Sequence, residues 1–175
     1  MESNRTLRAI ATIVFLGFAS ASNGTTITYN VDSLSANSWQ YIYSVINDTL
    51  GADVEEFTIY FDLTRYANLA VTASPAGWDS LVVQPDPGLP DNGFFDSLAL
   101  GAGIAPGAGL SGFAVSFDYL GGGAPGAQPF DIVNPVTFAI LESGTTSGVP
   151  EPGTLVLLIG SLAALASSGR ISRRR

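Results

Sequence analysis

Two stretches of this chain alternate so strictly between large apolar and polar or small residues that only a β-strand can use them. Phe57, Ile59, Phe61 and Leu63 are interleaved with Thr58, Tyr60 and Asp62, and Phe113, Val115, Phe117 and Tyr119 with Ala114, Ser116 and Asp118. Successive side chains of a strand leave on opposite faces, so a period of two gathers the rings on one side; on a helix the same residues would be scattered around the circumference. A strand with one aromatic face has to bury it against another layer, and the two stretches predict a shared core.

The same alternation predicts strands at Thr26 to Val31, Trp39 to Ile46, Leu69 to Ala73, Trp78 to Gln84, Phe130 to Val133 and Val136 to Leu141. No helical period is found between the termini. Eight strands punctuated by Gly, Pro, Asn and Asp predict an all-β fold, an antiparallel β-sandwich over residues 22–141, with a jelly roll or small barrel as the alternative. Trp39 and Trp78 are assigned to packing. Burying one aromatic side chain is worth about 1.5–3 kcal/mol, and a chain without cysteine has no disulfide to supplement it.

Missing residue types restrict the chemistry further. Without His or Cys there is no Ser-His-Asp triad, no thiolate nucleophile and no zinc site of the usual kind. A glycoside hydrolase needs two carboxylates at a fixed separation, whereas the adjacent Glu55 and Glu56 face opposite sides of a strand. The reading is therefore not an enzyme. All seven basic residues are Arg, and only Arg65 lies between the termini, against thirteen acidic residues from Asp32 to Glu142, a formal charge of −12. Such a surface repels phosphate backbones and excludes nucleic acid, while attracting divalent cations and cationic polymers.

Two regions break the strand pattern. Pro85 to Asp96 carries three prolines and two glycines and is expected as a turn system or surface loop. There Asp86, Asp91, Asn92 and Asp96 offer oxygen ligands of the kind Ca²⁺ takes, but the spacing is not that of an EF-hand, which favours a solvated loop in which Asp and Asn cap turns. No other cofactor is implied. Gly101 to Gly112 and Gly121 to Gly126 read as connections, since no Lys and no helix follow to make a phosphate cradle.

Both termini read as targeting segments. Arg5 and Arg8 precede the apolar run Ala9 to Phe18, and Ala19-Ser20-Ala21 supplies a small-residue cleavage site that would leave Ser22 as the new N-terminus; residues 1–21 are expected to be a signal peptide. At the other end, Glu142 to Gly148 reads as a flexible tether. Pro150 and Pro152 forbid a helix interior, an uncharged apolar segment follows, and Arg170, Arg173, Arg174 and Arg175 close the chain. A helix over residues 153–168 spans about 24 Å, short of the roughly 30 Å hydrocarbon core.

Pro150-Glu151-Pro152, the short apolar helix and the terminal arginines together resemble a PEP-CTERM sorting signal, over residues 149–175. The resemblance implies an inner-membrane precursor read by an exosortase-type membrane enzyme, in bacteria that make exopolysaccharide. It says nothing of the domain delivered. The expected function is an exported, non-catalytic surface or matrix protein associated with exopolysaccharide or biofilm. The alternative is a carbohydrate-binding β-sandwich presenting Trp39, Tyr41, Tyr43 or Trp78 to sugar rings, and a small secreted hydrolase stands third.

Overall fold

The computed structural model describes residues 24–149, and every regular element among them is a strand. The expected signal peptide 1–21, with Ala19, Ala21 and Ser22 at its cleavage site, lies outside the described residues. So do Pro150, Glu151, Pro152, the helix 153–168 and the arginines Arg170, Arg173, Arg174 and Arg175. In chain order the strands are β1 Thr26–Ser33, β2 Ser38–Ile46, β3 Glu56–Phe61, β4 Tyr66–Ala73, β5 Trp78–Val83, β6 Gly93–Ala99, β7 Gly109–Tyr119, β8 Pro129–Val133, β9 Ile140–Thr145 and β10 Ser147–Gly148.

They form the two five-stranded sheets of an all-β sandwich, in the orders β10-β1-β2-β7-β4 and β5-β6-β3-β8-β9. Pairing is antiparallel except between β1 and the short β10. The β2–β7 ladder runs from Ser38↔Asp118 to Ile46↔Gly109 and is broken once, between Tyr43 and Ser44. Gly112 is the extra residue there, at φ 102°, a conformation that costs an L side chain and not glycine.

The two predicted aromatic faces do meet. Phe57 of β3 and Phe113 of β7 stand edge to face with ring centroids 4.9 Å apart, and Phe61 lies 6.0 Å from Phe117. Tyr43 of β2 stacks with Phe95 of β6 at 6.3 Å. Such offset and edge-on contacts are the geometries the ring quadrupoles favour. Buried tyrosines also carry hydroxyls that need partners. Gln128, just before β8, supplies them: its Nε2 donates to the Tyr41 and Tyr66 hydroxyls and to the Gly126 carbonyl, and its Oε1 accepts from Tyr43 at 3.1 Å.

Four expectations are corrected. β3 ends at Phe61, because Asp62 Oδ1 accepts the Thr64 amide at 2.7 Å and turns the chain before Leu63 can continue the strand. The expected loop Pro85 to Asp96 ends at Asn92; Gly93 to Ala99 is β6, lying between β5 and β3. Its apolar residues fall on both faces and its core-facing Ser97 is polar, which erased the period-two signal. Val136 belongs to a turn held by Asn134, whose Oδ1 accepts the Val136 and Thr137 amides, so the strand begins only at Ile140. Finally, the expected tether 142–148 is strand on both sides of Thr146. The Glu142 carboxylate accepts the Thr25 amide at 2.7 Å and the Thr25 hydroxyl at 2.8 Å, and β9 with β10 carries the chain from the edge of one sheet to the edge of the other.

Candidate functional site

The two outer faces of the sandwich differ in chemistry. β3 sends Phe57, Ile59 and Phe61 inward, which leaves Glu56, Thr58 and Tyr60 on the outside of the second sheet. Register sets these opposite Leu98, Asp96 and Phe94 of β6, and sets Glu56 and Thr58 opposite Val133 and Asp131 of β8. β5 adds Leu81 beside Asp96 and Val83 beside Phe94, and β9 adds Ser143 beside Asp131. The outer face of the first sheet offers Thr28, Asn30 and Asp32 of β1, Gln40, Ile42 and Ser44 of β2 and Ser116 and Asp118 of β7, so it too carries carboxylates but no ring among these residues.

On the second sheet the polar groups are tied to one another. Thr58 Oγ1 donates to Asp96 Oδ1 at 2.7 Å, Tyr60 Oη to Asp131 Oδ2 at 2.9 Å, and Ser143 Oγ to Asp131 Oδ1 at 2.6 Å. Burial pushes the Asp96 carboxyl above its ordinary range, against the opposing effect of the Thr58 hydrogen bond. Burial and then the nearby Asp96 charge do the same to Glu56. The Tyr60 phenol is pushed up to about 12, by burial first and then by the hydrogen bond it gives Asp131. Asp96 and Asp131 flank Thr58 two interstrand spacings apart, about 10 Å. The result is an open, rigid surface of ring, carboxylate and hydroxyl. It can accept hydrogen bonds from a ligand's hydroxyls while an apolar ligand face lies on Tyr60 and Phe94.

At one end of this face the β3–β4 turn, Asn92 and the segment leading into β8 enclose a cleft of about 200 Å³, whose walls include Tyr60, Asp62, Arg65, Tyr66, Asn92 and Gln128. Arg65 donates to the Tyr119 hydroxyl, and its guanidinium carbon lies 5.5 Å from the centre of that ring. Two hydrogen bonds from Thr64 hold the Asp62 carboxyl below its ordinary range, with Arg65 adding to the effect.

Three of the four residues expected to offer oxygen to Ca²⁺ hold a hydrogen bond with one side-chain oxygen, and Asp91 takes part in the fold through its backbone. The Asp86 and Asp91 backbones bridge each other, Asp86 Oδ1 accepts the Gly88 amide at 2.7 Å, and Asn92 Oδ1 accepts the Leu63 amide at 3.1 Å. Asp96 stands on β6 and not in the loop. Among the described residues no three Asp, Glu, His or Cys side chains are grouped to hold a metal. The aromatics expected to meet a sugar are also placed otherwise: Tyr41 and Tyr43 are fully buried, Trp78 is 8% exposed and Trp39 packs against the core. The rings that face outward from the strands of the second sheet are the half-buried Tyr60 and Phe94, while Phe138, in the turn before β9, is 76% exposed. Tyr60 was legible as the aromatic out of phase with its neighbours; Phe94 was hidden in the strand that sequence reading missed.

The fold and this face define the chain as a two-sheet β domain with one aromatic and acidic surface. No protein-family model matches it, and no curated protein matches it. Among solved structures it is similar to a cohesin module of a family 33 glycoside hydrolase from Clostridium perfringens, at 10% identity and a TM-score of 0.45, over 73% of this chain and 98% of that one. It is also similar to the chitin-binding domain of Chi18aC from Streptomyces coelicolor, at 23% identity and a TM-score of 0.38, over 62% of this chain and 91% of that one. At these scores neither likeness bears on what the domain binds.

Proposed function

We propose that the domain is an exported, non-catalytic carbohydrate-binding module that lays a polysaccharide along the outer face of its second sheet. The observation that carries this reading is the outward placement of Tyr60 and Phe94 beside Glu56, Asp96 and Asp131. Rings cover the apolar face of a pyranose, and carboxylates accept from its hydroxyls with the added strength of a charged acceptor. Exopolysaccharide is the polymer at hand if the PEP-CTERM-like tail is processed at the cell surface.

Retardation of the detergent-solubilised full-length protein in gels cast with neutral or acidic polysaccharides tests the face. Each of Tyr60→Ala and Phe94→Ala should weaken binding about tenfold, the equivalent of roughly 1.4 kcal/mol. Gln40→Ala, on the opposite sheet, should leave it unchanged. Equal retention of all three, or none of the wild type by any polymer, returns the chain to a surface protein without sugar binding; release of reducing ends would make it a hydrolase.

Delivery is tested separately, by intact mass of the protein from its own host. Processing near Pro150-Glu151-Pro152 should leave a C-terminus between Val149 and Thr154 and remove Arg170 to Arg175. A mature protein that keeps those arginines beside an active exosortase has a plain membrane anchor.

A further inference from the structure

Resting on that reading, we propose that the cleft at the end of the face is a chain-end subsite, which seats one neutral hexopyranose on Tyr60 and bridges two of its adjacent hydroxyls between Asp62 and Arg65. Tyr60 belongs to both surfaces, as an outward residue of β3 and as a wall of the cleft, so a polysaccharide lying along the face runs into it. At about 200 Å³ the cleft is smaller than the roughly 300–1,000 Å³ of pockets that take drug-sized ligands. It has room for a terminal residue or a one-residue branch, and not for a chain passing through.

Its polar groups match a pair of hydroxyls, each of which donates and accepts. Asp62 only accepts, and the Arg65 guanidinium only donates. The Arg65 and Tyr66 amides both return to the Asp62 carbonyl, at 3.0 and 3.1 Å, which fixes the two side chains on one tight turn. Asp62 takes both Thr64 hydrogen bonds on Oδ1, and Asn92 accepts Leu63 on its own Oδ1. Asp62 Oδ2, Asn92 Nδ2 and the Arg65 nitrogens other than Nη2 are then the atoms offered to a ligand. The floor is rigid, because Gln128 and Tyr66 are buried and bonded to each other. Neutrality of the ligand follows from charge. Arg65 is the one cation between the targeting segments and sits beside Asp62, while Glu56, Asp96 and Asp131 along the face repel a densely anionic polymer.

Calorimetry of the full-length protein against linear gluco-, manno- and galacto-oligosaccharides, and against cyclic glucans that have no ends, separates the two sites. Arg65→Gln should weaken binding of linear oligosaccharides about tenfold and leave cyclic glucans unaffected, since a charge-assisted hydrogen bond is worth about that much. Arg65→Lys keeps the charge over Tyr119 and loses the planar fork, and should fall between the two with an unchanged melting temperature. Phe94→Ala should weaken both classes. If Arg65→Gln weakens both classes alike, or neither, while Phe94→Ala still weakens both, the chain-end subsite is wrong and the face stands. If the wild type binds no member of either class, both readings fall.

Discussion

Replacing Phe57 by Ala should cost about 3–5 kcal/mol, the range for truncating a fully buried Phe. Phe57 is completely shielded from solvent and is the ring on which the two sheets converge. It meets Trp78 at 6.0 Å, Phe95 at 6.1 Å and Phe113 at 4.9 Å, so truncation opens a hole between sheets that cannot close without shifting ladders on both sides. Domains of this size are stable by roughly 5–15 kcal/mol, so much of the margin would go, with no disulfide to retain compactness. The melting temperature should drop by on the order of 10–20 °C. The outward Phe94→Ala is the control and should move it far less. A drop of only a degree or two for Phe57→Ala would mean that the sheets do not close on this ring.

Exchanging Ile140–Gly148 for a Gly/Ser linker of equal length should destabilise the domain by at least about 4 kcal/mol, because several hydrogen bonds at about 1 kcal/mol each and one charge-assisted pair go together. The Glu142 carboxylate would no longer hold Thr25, which is 5% exposed. Gln128, whose backbone amide donates to Thr146 Oγ1 at 2.9 Å and whose backbone carbonyl accepts the Thr146 amide at 2.8 Å, would lose both bonds. Gln128 in turn orders the buried tyrosine hydroxyls, so damage at the edge should reach the core. Hydrogen exchange reads the result directly: amides of β8 and of Tyr41 and Tyr43 should exchange faster in the exchanged protein. Unchanged protection and an unchanged melt would restore the segment to the flexible tether that its composition suggests.

Sequence reading succeeded where one face of a strand is apolar and the other is not. β1, β2, β3 and β7 were found because Ile27, Tyr41, Phe57 and Phe113 each belong to an unbroken alternation, and a two-layer arrangement follows from four such faces. It failed where burial and polarity are decoupled. β6 is central yet puts Phe94 and Leu98 outside and Ser97 inside, satisfied by the Ser80 hydroxyl at 2.9 Å. β9 is an edge strand held by its backbone and by Glu142, so Gly, Ser and Thr suffice and the pattern imitates a linker. The candidate site suffered for the same reason. It lies on an outer face whose other half is β6, and Arg65 is brought to Tyr60 by a turn that propensity alone does not place.

The crossing of β9 into β10 also determines how the molecule would bear load. A pull applied through Val149, whose amide donates to the Tyr29 carbonyl at 3.0 Å, acts along a segment paired with β8 and then with β1. Directed along the strand axis, such a force loads in shear the two residue pairs and the Val149 bond that join this end to β1, with the longer β9–β8 ladder behind them. Forced unfolding is governed by the unfolding rate, so what matters under tension is the height of that shared barrier and not equilibrium stability. A pull at this end would therefore reach β8, and through Gln128 the buried tyrosines, only after β10 has parted from β1.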